Sequence, residues 1–235
     1  MTESKGSLVP AIVGGVVGSV LTAAVLLVVA PQFMSSRIVR QGMLHDPQIL
    51  VDAAGALRDR QYAPTLASSR GILETPFGSS WKGAEKPEVI LVEFYDYACP
   101  YCKASNPHVD QLLRENPKLR VVYRELPILG PDSVVAARLS LAASKAGRFQ
   151  QFHDALYAAG RPAPETNAAA ARIANIPPTP AQDVAIEAEL KKNFSLASQL
   201  GATGTPLFVV GDRVLSGAVG YDALKKAVEA AQKKA

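Results

Sequence analysis

Hydrophobic and polar positions divide the chain into an apolar stretch, an amphipathic one and a longer mixed body. Residues 6–36 carry no charge, and the centre of that run, residues 11–30, is almost continuously apolar. At about 1.5 Å per helical residue, this centre is long enough to cross a hydrocarbon layer of roughly 30 Å. A cleaved signal peptide has a shorter apolar centre, about 7–15 residues, and Pro31 directly after Val28-Val29-Ala30 opposes processing. An uncleaved anchor over 1–34 is therefore expected, the alternatives being a removed signal and a buried soluble helix. Gly14 and Gly18 are spaced so that two such spans can pack closely, a weak signal among the small residues common in membrane helices.

Residues 35 to about 62 read as an amphipathic helix. Asp46-Pro47 is a start signal, and Ile49, Leu50, Ala53, Ala54 and Leu57 share one face. Such a helix either lies on the main domain, linking it to the membrane, or forms a stalk that associates with copies of itself. Residues 63–86, with Pro64, Gly71, Pro76, Gly78 and Gly83, read as linker and loop with a short strand near 71–74.

From about residue 76 the pattern is α/β. Val89–Tyr95 is nearly all apolar, as expected of a central strand, and Pro100–Glu115 follows as a helix that Pro107 should kink. Leu119–Glu125 is a second strand, parallel to the first through that helix. A helical block over about 132–200 is expected as helices at 133–146, 148–159, 166–176 and 179–193, the last resuming after a break to residue 200. An apolar strand then opens at Pro206, whose preceding turn residues suit the rarer cis form of an X-Pro bond. Gly211-Asp212 reads as a two-residue hairpin turn, Arg213–Ser216 as its return strand and Tyr221–Gln232 as a closing helix.

The chemistry gathers at the end of the first central strand. The two cysteines of the chain, Cys99 and Cys102, enclose Pro100 and Tyr101 where the helix begins. This spacing permits a disulfide within about one helical turn or half of a zinc site; an inert thiol pair is the third reading. His45, His108 and His153 supply no second ligand pair at zinc spacing, so redox chemistry is preferred. Pro100 suits the first helical position. Cys99 then faces free N–H groups and the positive end of the helix dipole, which favour thiolate over thiol. Cys99 is the expected attacking thiol and Cys102, one turn inside, the resolving one. Glu93 stands alone on an otherwise apolar strand: it either relays the proton of Cys102 or is a salt-bridged or edge glutamate. His153 shares a packing face with Phe149, Phe152, Leu156 and Tyr157 and reads as structural rather than as a ligand, while His108 is a remote candidate for modulating the site.

The net charge of +4, with no aromatic–basic interleaving, gives no reason to expect nucleic acid. Lys5 precedes the apolar span and Arg37 and Arg40 follow it, so flanking charge alone leaves its orientation indecisive. Disulfide chemistry belongs in an oxidising compartment, which assigns the body to the extracytoplasmic side, as a single-pass inner-membrane protein facing the periplasm.

With Glu93, Phe94, the Cys99-Pro100-Tyr101-Cys102 string, Phe152-His153-Asp154-Ala155-Leu156 and Thr203-Gly204-Thr205-Pro206 in this order, residues 76–232 resemble the DsbA-like group of the thioredoxin superfamily. The segment around Asp46-Pro47-Gln48-Ile49-Leu50 resembles the N-terminal helix of its membrane-anchored or stalked subgroup, some members of which oligomerise there and work as isomerases. The resemblance implies a thioredoxin fold with a helical insertion and no cofactor. It makes Cys99 the nucleophile, Cys102 the resolving thiol and Glu93 the buried acid, with a cis Pro206 facing the cysteine pair. Thr205 would offer backbone hydrogen bonds to substrate, beside Pro100 and Tyr101. Expected partners are unfolded or misoxidised proteins, a membrane or soluble redox partner, the membrane through residues 11–30, and further copies of the chain through 35–62. Pro100-Tyr101 replaces the Pro-His of the strongest oxidases, so a milder oxidant is expected. Glutaredoxins, which share this string, lie at about −200 to −230 mV against about −120 mV for those oxidases. A thiol-based chaperone or a soft-metal module using the same pair is the alternative function, and a cytosolic glutaredoxin-type enzyme a weaker one.

Overall fold

Why the central strands are apolar on both faces is clear once the sheet is seen. The computed structural model, which describes residues 39–179 and 182–233, covers that sheet with helices on either side. Its elements are α1 (Gln48–Glu74), β1 (Trp81–Gly83), β2 (Val89–Tyr95), α2 (Pro100–Glu115), β3 (Leu119–Glu125), α3 (Pro131–Lys145), α4 (Phe149–Ala159), α5 (Pro164–Ile173), α6 (Val184–Gln199), β4 (Leu207–Val210), β5 (Arg213–Ser216) and α7 (Tyr221–Gln232). The strand order is β1-β3-β2-β4-β5. Strands β2 and β3 are parallel, joined through α2, and the other neighbours are antiparallel. This is a thioredoxin-like α/β fold with a helical insertion.

Alternation along β2 sorts its side chains. Leu91 and Tyr95 point with Val121, Tyr123, Phe208 and Val210 into a core closed by α2, α3–α5 and α7. Val92 and Phe94 point the other way, with Val122, Leu207 and Val209, against Leu66 and Leu73 of α1, Leu196 of α6 and Leu200 at its C-cap. Ala137 and Leu141 of α3 meet Ile186 and Leu190 of α6 in a third cluster that ties the insertion together.

Three expectations need correction. The stretch 63–74 is neither linker nor strand but the second half of α1, which runs through Pro64 and Gly71. Each breaker has a helix-weakening cost, yet Leu66 and Leu73 are buried, worth about 2 kcal/mol apiece. The buried Arg124 guanidinium also satisfies the orphan carbonyls at the helix end. It donates to Leu73 O at 3.0 Å, Thr75 O at 2.9 Å and Ile72 O. Its charge is met by Glu189 Oε1 at 3.0 Å, beside Asn193 Oδ1 at 2.8 Å. Second, α6 is unbroken and starts at Val184, because Asp183 accepts the backbone N–H groups of Ala185 and Ile186 at 2.9 and 3.3 Å. Third, β1 was not anticipated; three residues are too few to show a period.

Two units divide the chain at Leu57/Arg58. In the first, the described residues form a helical stretch over 39–45 and the opening of α1, where Asp46 Oδ1 accepts the N–H of Gln48 at 3.1 Å. The apolar side chains of Ile49, Leu50 and Leu57 are exposed. The span expected over residues 11–30 lies outside the described residues, among which no helix is long and apolar enough to cross a membrane. In the second unit, Tyr62 packs so closely on Gly201 (φ +69°) that a Cβ there would lie 1.8 Å from the Tyr62 hydroxyl.

Candidate active site

The strand-to-turn-to-helix transition of β2 and α2 builds the site. Strand β2 ends at Tyr95, and the carbonyl of Asp96 accepts the N–H of Cys99 at 3.0 Å. Cys99 is the N-cap of α2, with extended backbone (φ −79°, ψ 117°), and Pro100 takes the first helical position. Cys102 falls in the first turn, fully buried, whereas Tyr101 between the two is 64% exposed. Both thiols are free. The Sγ of Cys99 donates to the Thr205 carbonyl at 3.2 Å, so the loop before β4 closes over the pair. The Thr205–Pro206 peptide bond is cis, and Thr205 Oγ1 is buried without a partner.

Glu93 leaves β2 on the face that carries the cysteines. Its register partners are Tyr123 on β3 and Phe208 on β4, and neither carboxyl oxygen has a hydrogen bond. Burial pushes this carboxyl up to about 8; Lys82 opposes the shift and Asp110 adds to it. Lys82 lies on β1, paired with Asp154 at 2.6 Å and Asp110 at 4.0 Å, over the ring of Tyr123. The Cys102 thiol is driven far above its ordinary range, first by burial and then by the charge of Glu93. The site thus holds a thiol at a helix N-terminus, itself only 4% exposed, an inner thiol that resists ionisation, and an unpartnered acid able to exchange a proton near neutral pH.

Behind them lies a buried polar net that sequence reasoning missed. Tyr95 donates to Glu125, its direct register partner on β3. The Tyr95 and Tyr97 hydroxyls are 3.1 Å apart, and Tyr97 reaches Ser140 Oγ at 2.9 Å and His153 Nδ1 at 3.3 Å. Burial raises the proton affinity of the Glu125 carboxyl well above the ordinary carboxylate range and lowers that of the His153 ring well below the ordinary imidazole range. His153 is buried among Tyr95, Tyr97, Tyr123, Phe149 and Tyr157, a packing role. His108 is half-buried on α2. Asp96 was also missed; its carboxylate accepts three backbone N–H groups, from Ala98 at 2.8 Å, Ile128 at 2.8 Å and Leu129 at 2.9 Å. A lone polar residue directly after a buried strand was the available signal. Among the described residues, no three His, Cys, Asp or Glu side chains gather as a metal site.

The chain is similar to known proteins. The family model of the DSBA-like thioredoxin domain matches residues 90–229. Proteus mirabilis ScsC, in a structure described as a transitional conformation, is 29% identical with a TM-score of 0.68, over 88% of this chain and 97% of that one. The thiol–disulfide exchange protein alpha-DsbA2 of Wolbachia pipientis is 26% identical with a TM-score of 0.63, over 76% and 97% of the respective chains. A curated relative, the Na(+)/H(+) antiporter NhaA 3 of Salinispora tropica, is 33% identical over 106 residues, 42% of this chain but 16% of the antiporter. The chain therefore spans only that small share of the curated relatives it matches. With residues 90–229 covered by one family model and the site described above inside them, the chain belongs to the DSBA-like thioredoxin domain family.

Proposed function

We propose that the chain is an extracytoplasmic thiol–disulfide oxidoreductase that forms or rearranges disulfides in secreted proteins through Cys99 and Cys102. The observation that carries this reading is the 3.2 Å contact between the N-cap thiol Cys99 and the carbonyl of Thr205, with a buried acid free of hydrogen bonds, Glu93, acting on the Cys102 thiol. In the oxidising direction, a substrate thiolate attacks Cys99 Sγ of the enzyme disulfide. The Cys99–Cys102 bond breaks, its electron pair goes to Cys102, and Glu93 gives Cys102 a proton. A second substrate thiolate then attacks the substrate sulfur of the mixed disulfide and expels Cys99 as thiolate. Two electrons have passed from substrate to enzyme, and a redox partner removes them. In the reverse direction Glu93 takes the proton of Cys102, whose sulfur attacks Cys99 and releases the substrate. Pro100, Tyr101, Thr205 and Pro206 border the reacting sulfur, and they are the surface on which an extended polypeptide would lie.

The oxidising compartment this chemistry calls for supports a body on the periplasmic side, tethered by residues 1–34, with 35–75 as helical connection and 76–235 as the DsbA-type domain. The exposed apolar side chains of Ile49, Leu50 and Leu57 support self-association through 35–62. Cys99→Ala tests the reading: peptide oxidation and insulin reduction should fall to the uncatalysed level, and normal activity in this variant would sink it. Titration of the Cys99–Cys102 pair against glutathione then sets the direction. A potential above about −180 mV fits a disulfide donor, whereas one near or below about −270 mV makes the protein a reductant.

A further inference from the structure

Asp96 lies outside the exchange steps, yet its carboxylate accepts three backbone hydrogen bonds beside them. It is 1% exposed and accepts hydrogen bonds from two separate pieces of chain. One oxygen takes the N–H of Ala98, in the turn that delivers Cys99. The other takes the N–H groups of Ile128 and Leu129, in the loop between β3 and α3. A single carboxylate spans only a few ångströms, so the two backbones are held side by side. The loop presents two apolar side chains to solvent, Ile128 and Leu129, each 43% exposed. Tyr101, two residues past Cys99, is 64% exposed. Asp96 ties the backbone of this loop to the turn before Cys99, and large apolar side chains left this open on such a loop are suited to apolar segments of an unfolded polypeptide, whereas a small thiol has no use for them.

We infer that Asp96 is a positioning residue for polypeptide substrates: it fixes the Ile128–Leu129 lip against the Cys99 turn so that an extended apolar segment is gripped while its cysteine reaches Cys99. This rests on the proposed function. The chemistry requires an acceptor at both oxygens. In Asp96→Asn one oxygen becomes an NH₂ group, which confronts either Ala98 N–H or the Ile128 and Leu129 N–H pair with a donor, so one side of the bridge is lost.

The test compares exchange with an unfolded dithiol polypeptide and with glutathione in the full chain. Asp96→Asn should raise KM for the polypeptide about tenfold, the scale of one lost charge-assisted hydrogen bond, and keep kcat within about twofold. Ile128→Ser with Leu129→Ser should raise the same KM, and adding Asp96→Asn to that pair should raise it no further. An equal loss toward polypeptide and glutathione in Asp96→Asn, or an additive rise in the triple variant, would overturn the inference while leaving the proposed function intact. If Asp96→Asn fails to fold, the lip variants alone decide: an unchanged polypeptide KM overturns it. A wild-type protein no faster than Cys99→Ala toward the polypeptide would instead sink the proposed function and this inference together.

Discussion

Two glutamates are buried on one face of the sheet, on neighbouring parallel strands two register positions apart, and their surroundings are opposite. Glu93 on β2 has no hydrogen bond to either oxygen. Glu125 on β3 receives the Tyr95 hydroxyl and belongs to a net that runs through Tyr97 to Ser140 and His153. Burial raises the proton affinity of both, first and foremost. What differs is the cost of changing protonation state. At Glu125 the loss of a proton places a charge in a net of neutral groups already committed to one another. At Glu93 no hydrogen bond has to be rearranged, Lys82 offsets part of the charge, and the carboxyl titrates at about 8. An acid that serves exchange is left without partners; one that serves structure is given them.

The sharpest way to break this comparison is truncation of the structural acid. Glu125→Ala should cost about 4 kcal/mol of stability. It leaves the buried Tyr95 hydroxyl short of a partner, roughly 1–3 kcal/mol, and opens a cavity of comparable cost. Chemical denaturation at pH 7 measures it. Exchange per folded molecule should stay within about twofold; if exchange collapses while stability holds, the roles assigned to the two acids are wrong.

Next comes Glu93→Gln, which keeps the shape and removes the titration. Steps that move the Cys102 proton should slow about a hundredfold, the low end for a positioned acid–base group. In the wild type, Cys102 attack needs ionised Glu93 and should accelerate as pH rises through about 8. Proton delivery to Cys102 needs the neutral acid and should slow over the same range. Rapid-mixing measurements between pH 6 and 9 should show both trends, and both should vanish in the variant. Stability has its own sign. The folded-state affinity is raised, so the contribution of Glu93 is fully present below about pH 4.5, declines above it and is lost once pH passes about 8. Glu93→Gln should therefore flatten part of the fall in wild-type stability expected between about pH 4.5 and 8.

These two acids also mark how far the sequence can be read. Glu93 stood out because one charged residue interrupts a seven-residue apolar run, and Cys99 and Cys102 because their spacing and Pro100 are local features. Glu125 carried no such signal. Its partner Tyr95 is 30 residues away, brought opposite only by the β2–β3 register. Asp96 holds Ile128 and Leu129, 32 and 33 residues on, for the same reason of topology. The second half of α1 was misread because Pro64 and Gly71 are local breakers, while the compensation comes from Arg124, 51 residues beyond Leu73. Local spacing exposes reactive groups; the groups that hold them depend on pairings that no short window contains.

The smallest effect is the most discriminating. Glu125→Gln keeps an oxygen for the Tyr95 hydroxyl and exchanges the other, partnerless oxygen for an NH₂ group. If Glu125 is neutral in the fold, that exchange is nearly isosteric, and at pH 4, where folded and unfolded carboxyls are both largely protonated, the variant should lie within about 1 kcal/mol of wild type. As pH rises the unfolded wild-type chain ionises and the folded one does not, so the wild type loses stability and the variant, which has nothing to titrate, gains on it. A Glu125 held below the unfolded proton affinity, and so ionised throughout, would reverse the sign. Replacing it would remove a charge-assisted bond from Tyr95, and the variant would fall behind by about 1.5–3 kcal/mol at pH 7. Paired denaturation curves at pH 4 and pH 7 separate the two cases, and a deficit that grows with pH would mean that the second acid, like Glu93, carries charge where the comparison requires it to stay neutral.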